Sequence, residues 1–261
     1  MIKLIKAIYS VYAFCLFLIL MVLFLPFIFI SSLWGKVKGG NVVYNICKLW
    51  GDIWMFLIGM VHINIYESTY DPRKQYIFVA NHISYMDVPI MMKVMRKQNF
   101  RILGKHEMAK IPLFGFIYKS AVVMVDRGNA KHRAESIRIL MSVIRKNISV
   151  FIFPEGTFNE TKHPLKNFYD GAFRVAVETQ TPIKPIVFLN TYDLYPYHNF
   201  LGLKPGKSRA VFLEEISTTG MTIKDVPSLK ETVYQKMEAC LIKYKASWII
   251  LPSLLKSPME S

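Results

Sequence analysis

Tyr76-Ile77-Phe78-Val79-Ala80-Asn81-His82-Ile83-Ser84-Tyr85-Met86-Asp87-Val88-Pro89 changes character halfway along, and that change decides how the chain is read. Residues 76–80 form a continuous apolar run rich in β-formers, as a strand covered on both faces requires. Asn81, Ser84 and Asp87 then break the run. Asp87 before Val88-Pro89 has the form of a helix N-cap with proline in the first turn. The stretch therefore predicts strand, loop, helix. On one continuous helix His82 and Asp87 would point about 140° apart. They meet only if the residues between them form a loop that turns into a helix. A His–carboxylate pair is the minimal apparatus for taking a proton from a hydroxyl group. The plain alternatives are a structural cap at Asp87 and a satisfied buried histidine at His82.

The same punctuation recurs along the chain. Further strands are expected at 61–66, 100–103, 121–125, 150–153, 186–189 and 210–213. In the first of these Val61, Ile63 and Ile65 alternate inward against His62, Asn64 and Tyr66. Helical patterns lie near 88–95, 113–118, 131–146, 172–178 and 228–245. Strands alternating with helices predict an α/β domain with a central, mostly parallel or mixed sheet covered by helices.

Composition narrows the partners. The 261 residues are 52% hydrophobic yet carry 33 Lys+Arg against 18 Asp+Glu, a net charge of +15. Basic and apolar together point to an anionic membrane surface. No zinc-finger spacing, RNP-like signature or basic region leading into heptads is present, which argues against nucleic acid. Cys15, Cys47 and Cys240 are isolated, so neither a disulfide framework nor a zinc site is supported. Residues 7–34 contain no charge, a longer run than the roughly 20 residues that cross a hydrocarbon core. Pro26 should break or kink a helix there near Phe24–Leu25. Residues 42–60 carry Lys48 and Asp52 and read as an interfacial or re-entrant helix, with Trp50 and Trp54 at headgroup level. Lys3 and Lys6 before the first segment balance Lys36 and Lys38 after it, as in a hairpin with both ends on one side. The expected organisation is a two-helix membrane-anchoring hairpin at 1–60 and an α/β domain at 61–261. The apolar tail around Trp248–Leu255 would touch bilayer or core.

A second constellation follows another strand-like run, Phe153-Pro154-Glu155-Gly156-Thr157. Ligands of open α/β sheets gather beyond the carboxyl ends of strands. Two such loops, one with His/Asp and one with Glu/Thr, would converge on one substrate hydroxyl.

With these residues in hand, the chain resembles the glycerolipid acyltransferase family, in particular bacterial 1-acyl-glycerol-3-phosphate acyltransferases. Asn81-His82-x4-Asp87 matches its first motif. Lys105, Glu107 and Pro112-Leu113-Phe114-Gly115 resemble the segment after it, and Val125-Asp126-Arg127 the second motif. Phe153 to Thr157 matches the third, and Pro182-Ile183-Lys184-Pro185-Ile186-Val187 the fourth. All stand in the family's order over residues 76–190. The chain departs from the pattern where Arg usually follows Thr157, since Phe158 and Asn159 stand there. It departs again where Lys often precedes the Gly-Ala-Phe segment, which here reads Tyr169-Asp170-Gly171-Ala172-Phe173.

The resemblance implies transfer of a fatty acyl group from acyl-CoA or acyl carrier protein to the sn-2 hydroxyl of 1-acyl-glycerol-3-phosphate, without metal or cofactor. It implies His82 as general base and Asp87 as its orienting partner. Lys105 and Arg127 would hold the acceptor's phosphate, with Lys166 as a further cation. Glu155, Gly156 and Thr157 would form the rest of the acceptor site, with Glu155 on glycerol hydroxyls. The expected setting is the inner (cytoplasmic) membrane, with the catalytic domain facing the cytoplasm. The departures at Phe158 and Tyr169-Asp170 leave another lysolipid open as acceptor. A serine hydrolase is disfavoured, since no G-x-S-x-G elbow exists. A non-catalytic basic membrane-binding protein is the alternative from another class.

Overall fold

Seven short β-rich runs lie side by side, and the central ones are apolar on both faces, as strands covered from both sides require. The computed structural model describes residues 2–125 and 130–250. The strands are β1 (Met60–Tyr66), β2 (Ile77–Ala80), β3 (Phe100–Lys105), β4 (Val122–Val125), β5 (Ser149–Ile152), β6 (Ile183–Phe188) and β7 (Gly206–Phe212). They form one sheet in the order β1-β7-β6-β2-β5-β3-β4. The five strands from β6 to β4 run parallel. β7 lies antiparallel to β6, and β1 pairs parallel with β7. The sheet is therefore mixed, with its reversal at one side. β2 sits at its middle, so the loop after β2 emerges at the centre of the sheet's carboxyl edge.

Helices cover both faces. On one side lie α5 (Ala130–Ile144), α6 (Gly171–Thr179) and α8 (Val226–Lys243), which pack with Ile77, Val79, Val150 and Ile152. On the other lie α1 (Ile2–Ser32), α2 (Gly40–Leu57), α3 (Asp87–Val94) and α4 (Phe114–Ala121). That side's core holds Trp50, Trp54 and Met55 of α2 together with Phe78, Phe100, Phe151 and Phe188 of the sheet. A one-turn helix, α7 (Thr191–Leu194), follows β6. All seven expected strands and the main helices are present, with ends displaced by a few residues. β6 begins earlier than expected and runs through Pro185, a residue that ordinarily discourages a central strand.

Several expectations about the N-terminal region are corrected. The helix does not break at Pro26 but continues to Ser32 as α1. Ile28, two residues past the proline, is fully buried, and this packing helps hold the helix together across the missing backbone bond. Trp50 and Trp54 do not point outward to headgroup level. Both pack against Phe17, Trp50 tilted and Trp54 edge-on, and the Trp54 indole donates to the Ala13 carbonyl at 2.8 Å. The charges of α2 are used internally as well. Lys48 donates to the Gln98 carbonyl at 2.9 Å, and Asp52 pairs with Lys93 at 2.6 Å and with Arg96. The Tyr44 hydroxyl donates to the Ala121 carbonyl and accepts from the Ile102 amide. α1 is the one helix among the described residues long and apolar enough to cross a membrane, and its outward side exposes Leu4, Ile8, Leu23 and Phe27.

The inward alternation expected for the first strand is reversed over most of its length. Val61 and Ile63 are exposed, whereas His62 and Asn64 are half-buried and hydrogen-bonded to one another at 2.7 Å. β1 is an edge strand, and the apolar side chains at its start lie where no helix covers the sheet.

Trp54 offers a direct check on the shared core. Trp54→Ala should lower the unfolding free energy by about 3–5 kcal/mol, the range for emptying a large aromatic site. Trp54→Phe, which keeps a smaller aromatic ring but loses the bond to Ala13, should cost less, about 1 kcal/mol for the hydrogen bond plus the smaller loss of packing. Denaturant unfolding of detergent-purified protein measures both. A cost near zero for Trp54→Ala would mean that α1 and α2 melt apart from the sheet.

Candidate active site

The site is built where β2 and β5 end. Asn81, the first residue past β2, is buried, and its side-chain amide donates to the Phe188 carbonyl at 3.0 Å and accepts from the Phe188 amide at 2.7 Å. The Asn81 side chain thereby extends the ladder between β2 and β6 by one rung and frees the backbone to turn. His82 follows.

Asp87 lies in the first turn of α3 and not at the N-cap position, which Met86 occupies. Its carboxylate reaches back instead. Oδ2 accepts from the amides of Ile83 at 2.7 Å and Ser84 at 2.9 Å, and contacts His82 Nδ1 at 2.7 Å. Asp87 is fully buried, while the His82 side chain keeps 18% of its surface exposed. A carboxylate on Nδ1 fixes the proton there and leaves Nε2 as the acceptor. The loop that turns into a helix brings the pair together.

Glu155 is 2% exposed and faces inward. Its Oε1 accepts from the His82 amide and its Oε2 from the Lys166 amide, each at 2.8 Å. Each oxygen accepts one backbone amide, so Glu155 braces the two loops. Burial pushes its carboxyl up to about 7, against the opposing pull of the two amides. Gly156 turns the chain at φ 76°, in the left-handed region that glycine adopts freely. Thr157 is exposed, and its hydroxyl accepts from Lys166 Nζ at 2.7 Å. Asn159 is buried; its amide donates to the His82 carbonyl at 2.7 Å and its side chain closes the loop onto the His163 carbonyl at 2.9 Å.

Aromatic rings surround the imidazole. Phe153 stacks on His82 with centroids 4.1 Å apart, and Phe158 meets it edge-on at 4.4 Å. Tyr85 packs on Phe158 at 4.9 Å and on Tyr195 at 5.3 Å, and Tyr197 stacks on Phe158 at 6.2 Å. Ser84 pins this wall by donating to the Tyr195 carbonyl at 2.5 Å. The sequence reading missed Tyr85, Tyr195 and Tyr197. The tyrosines at 195 and 197 come from a segment more than a hundred residues away, and only the Tyr-Pro-Tyr pattern marks it.

The remaining expected residues are less closely gathered. Lys105 is exposed at the carboxyl end of β3, two strands from β2 and so roughly 10 Å away at ordinary strand spacing. Arg127 lies outside the described residues. Among those described, no three His, Cys, Asp or Glu side chains come together as metal ligands.

Comparison with known proteins points to acyltransferases. Residues 62–189 match the family model described as Acyltransferase. The 1-acyl-sn-glycerol-3-phosphate acyltransferase alpha of Mus musculus is 31% identical over 64% of this chain and 59% of its own length. The 1-acyl-sn-glycerol-3-phosphate acyltransferase of Cocos nucifera is 30% identical over 73% of this chain and 60% of its own. The chain thus spans about three fifths of the length of these curated relatives. The crystal structure of the 1-acyl-sn-glycerophosphate acyltransferase from Thermotoga maritima superimposes with a TM-score of 0.74 at 21% identity. That match covers 96% of this chain and all of the other, a likeness of fold.

Glu155 predicts a pH signature. Its raised pKa means the folded state holds the proton more tightly than the unfolded one. Its stabilising contribution is complete below about 4.5 and is lost as pH rises through about 7. Glu155→Gln removes this dependence while leaving one amide poorly matched. Melting curves from pH 5 to 8 should show wild type losing roughly 1–3 kcal/mol relative to the variant across that window. Parallel curves would mean the carboxyl is ionised throughout.

Proposed function

We propose that the chain, whose residues 62–189 match the acyltransferase family model, acylates the sn-2 hydroxyl of 1-acyl-glycerol-3-phosphate to give phosphatidic acid. The observation that carries the reading is the His82–Asp87 pair at 2.7 Å with Nε2 left free at the carboxyl edge of the sheet. Similarity to relatives named 1-acyl-sn-glycerol-3-phosphate acyltransferase supports the choice of acceptor.

In the proposed reaction His82 Nε2 takes the proton of the lipid hydroxyl as its oxygen attacks the thioester carbonyl of acyl-CoA or acyl carrier protein. Asp87 holds the tautomer and stabilises the imidazolium. The new C–O bond forms, the C–S bond breaks, and His82 returns the proton to the leaving thiolate. A thioester is already activated, so no enzyme-bound acyl group is required. General base catalysis of this kind contributes about 10²–10⁴-fold. α1, with its uncharged run and exposed apolar side, would hold the site at the surface of the cytoplasmic membrane, with the catalytic edge toward the cytoplasm.

His82→Ala should reduce turnover of lysophosphatidic acid by about 10²–10⁴-fold with the melting temperature preserved. Activity at the wild-type level would refute the mechanism. Phe158→Arg places a guanidinium beside the imidazole and should raise the preference for lysophosphatidic acid over lysophospholipids with larger headgroups by about tenfold, one charge-assisted contact. An unchanged acceptor ratio would exclude position 158 from headgroup selection.

A further inference from the structure

We propose that β1 is a self-association edge, which pairs antiparallel with β1 of a second copy of the chain. The observations that carry this lie outside the acyl-transfer site. β1 ends the sheet and is bonded to β7 on one side only. Among the described residues, no backbone group from elsewhere in the chain pairs with its other side. Its sequence, Met60-Val61-His62-Ile63-Asn64-Ile65-Tyr66, contains no Lys, Arg, Asp, Glu, Pro or Gly. Folded proteins ordinarily guard an open edge with a charge, a proline, a bulge or a covering segment. At seven residues this edge is also longer than the usual strand. Val61 and Ile63 are exposed besides.

The open backbone dictates the kind of partner. A row of free N–H and C=O groups is completed by another extended strand. A second copy fits because β1 is self-complementary. Antiparallel pairing centred on Ile63 sets Ile63 against its own copy, Val61 against Ile65, His62 against Asn64 and Met60 against Tyr66. Residues directly opposite share a face of the sheet. Val61, Ile63 and Ile65 of both copies then form one apolar cluster where no helix covers the strand. His62 and Asn64 meet on the other face. The nearby cations Lys93 and Arg96 are already paired with Asp52, so no bare charge opposes the approach.

The symmetry also suits α1. The two-fold axis of such a pair stands normal to the sheet, so equivalent faces of the two copies point the same way. α1 and α2 form the layer on one face. The two seven-stranded sheets therefore join into one, with both long apolar helices on the same side, where they can meet a single membrane surface. Confinement to one surface raises the effective concentration of each copy for the other.

The test uses the full chain with Cys15→Ser, Cys47 and Cys240 being buried. The protein is reconstituted at high lipid dilution in phosphatidylglycerol and phosphatidylethanolamine vesicles and oxidised with copper phenanthroline. Ile63→Cys should cross-link, since residues opposite one another in an antiparallel pair are within disulfide reach. Val61→Cys lies about 13 Å along the strand from its copy and should cross-link at least about tenfold less. Adding Ile65→Cys to Val61→Cys should restore the product. In parallel, energy transfer is measured between chains carrying donor and acceptor fluorescent proteins at the carboxyl end. It should saturate for wild type and persist in Ile63→Val. It should fall to the level of random proximity in Ile63→Lys, which sets two ammonium groups face to face. Equal cross-linking at 61 and 63 overturns the proposal, as does transfer that survives Ile63→Lys. Transfer that rises without saturating marks open aggregation and overturns it too, as does the absence of both signals. A chain that stays free of the vesicles refutes anchoring by α1, and the same two readouts in detergent solution then decide the pairing.

Discussion

The Glu155 carboxylate is the constraint on which the rest of the site depends. It is buried, and each of its oxygens serves one backbone amide from a different loop, His82 after β2 and Lys166 in the segment after β5. A buried amide without a partner costs on the order of 1–3 kcal/mol, so removing this one side chain orphans two donors at once. Asn81, Asp87 and Asn159 do related work nearby, each trading side-chain polarity for backbone order. His82 is consequently held at its amide, its carbonyl and its Nδ1, and only the outer part of the ring is left to meet a substrate.

Buried cations follow the same logic elsewhere. Lys184 is fully buried and donates to Ser68 and the Thr69 carbonyl, and Arg101 reaches the carbonyls of Lys36 and Val37 between the two long helices. Burial lowers the pKa of both. Part of the chain's basic excess is therefore spent on carbonyl oxygens inside the fold, and the net charge of +15 overstates what an anionic surface would meet.

What was legible in the sequence was local. Apolar runs ended by Asn, Pro and Gly marked the strands, and the spacing of His82 and Asp87 required the loop-to-helix turn that the structure contains. What was not legible depended on contacts distant along the chain. The direction in which Glu155 points follows from the two amides that surround it. The faces of Val61 and Ile63 depend on the absence of a helix over one end of an edge strand. The inward packing of Trp50 and Trp54 depends on where α1 lies. The tyrosine wall depends on the segment after β6 crossing back over Ser84. Each is a tertiary fact that no window of a dozen residues contains.

The shared core of α2 and the sheet has a mechanical consequence. Trp50, Trp54 and Met55 interlock with the aromatic side chains of β2, β3, β5 and β6, and Tyr44, Lys48 and Arg101 stitch polar groups across the same seam. His82 continues the alternation of Phe78 and Ala80 and so rises from this same face. The long apolar helix and the reactive imidazole are thus joined through one continuous packed core. Whatever surface α1 settles on, the tilt and height of His82 above it are set in advance by core packing, as the angle of a blade is set by its handle.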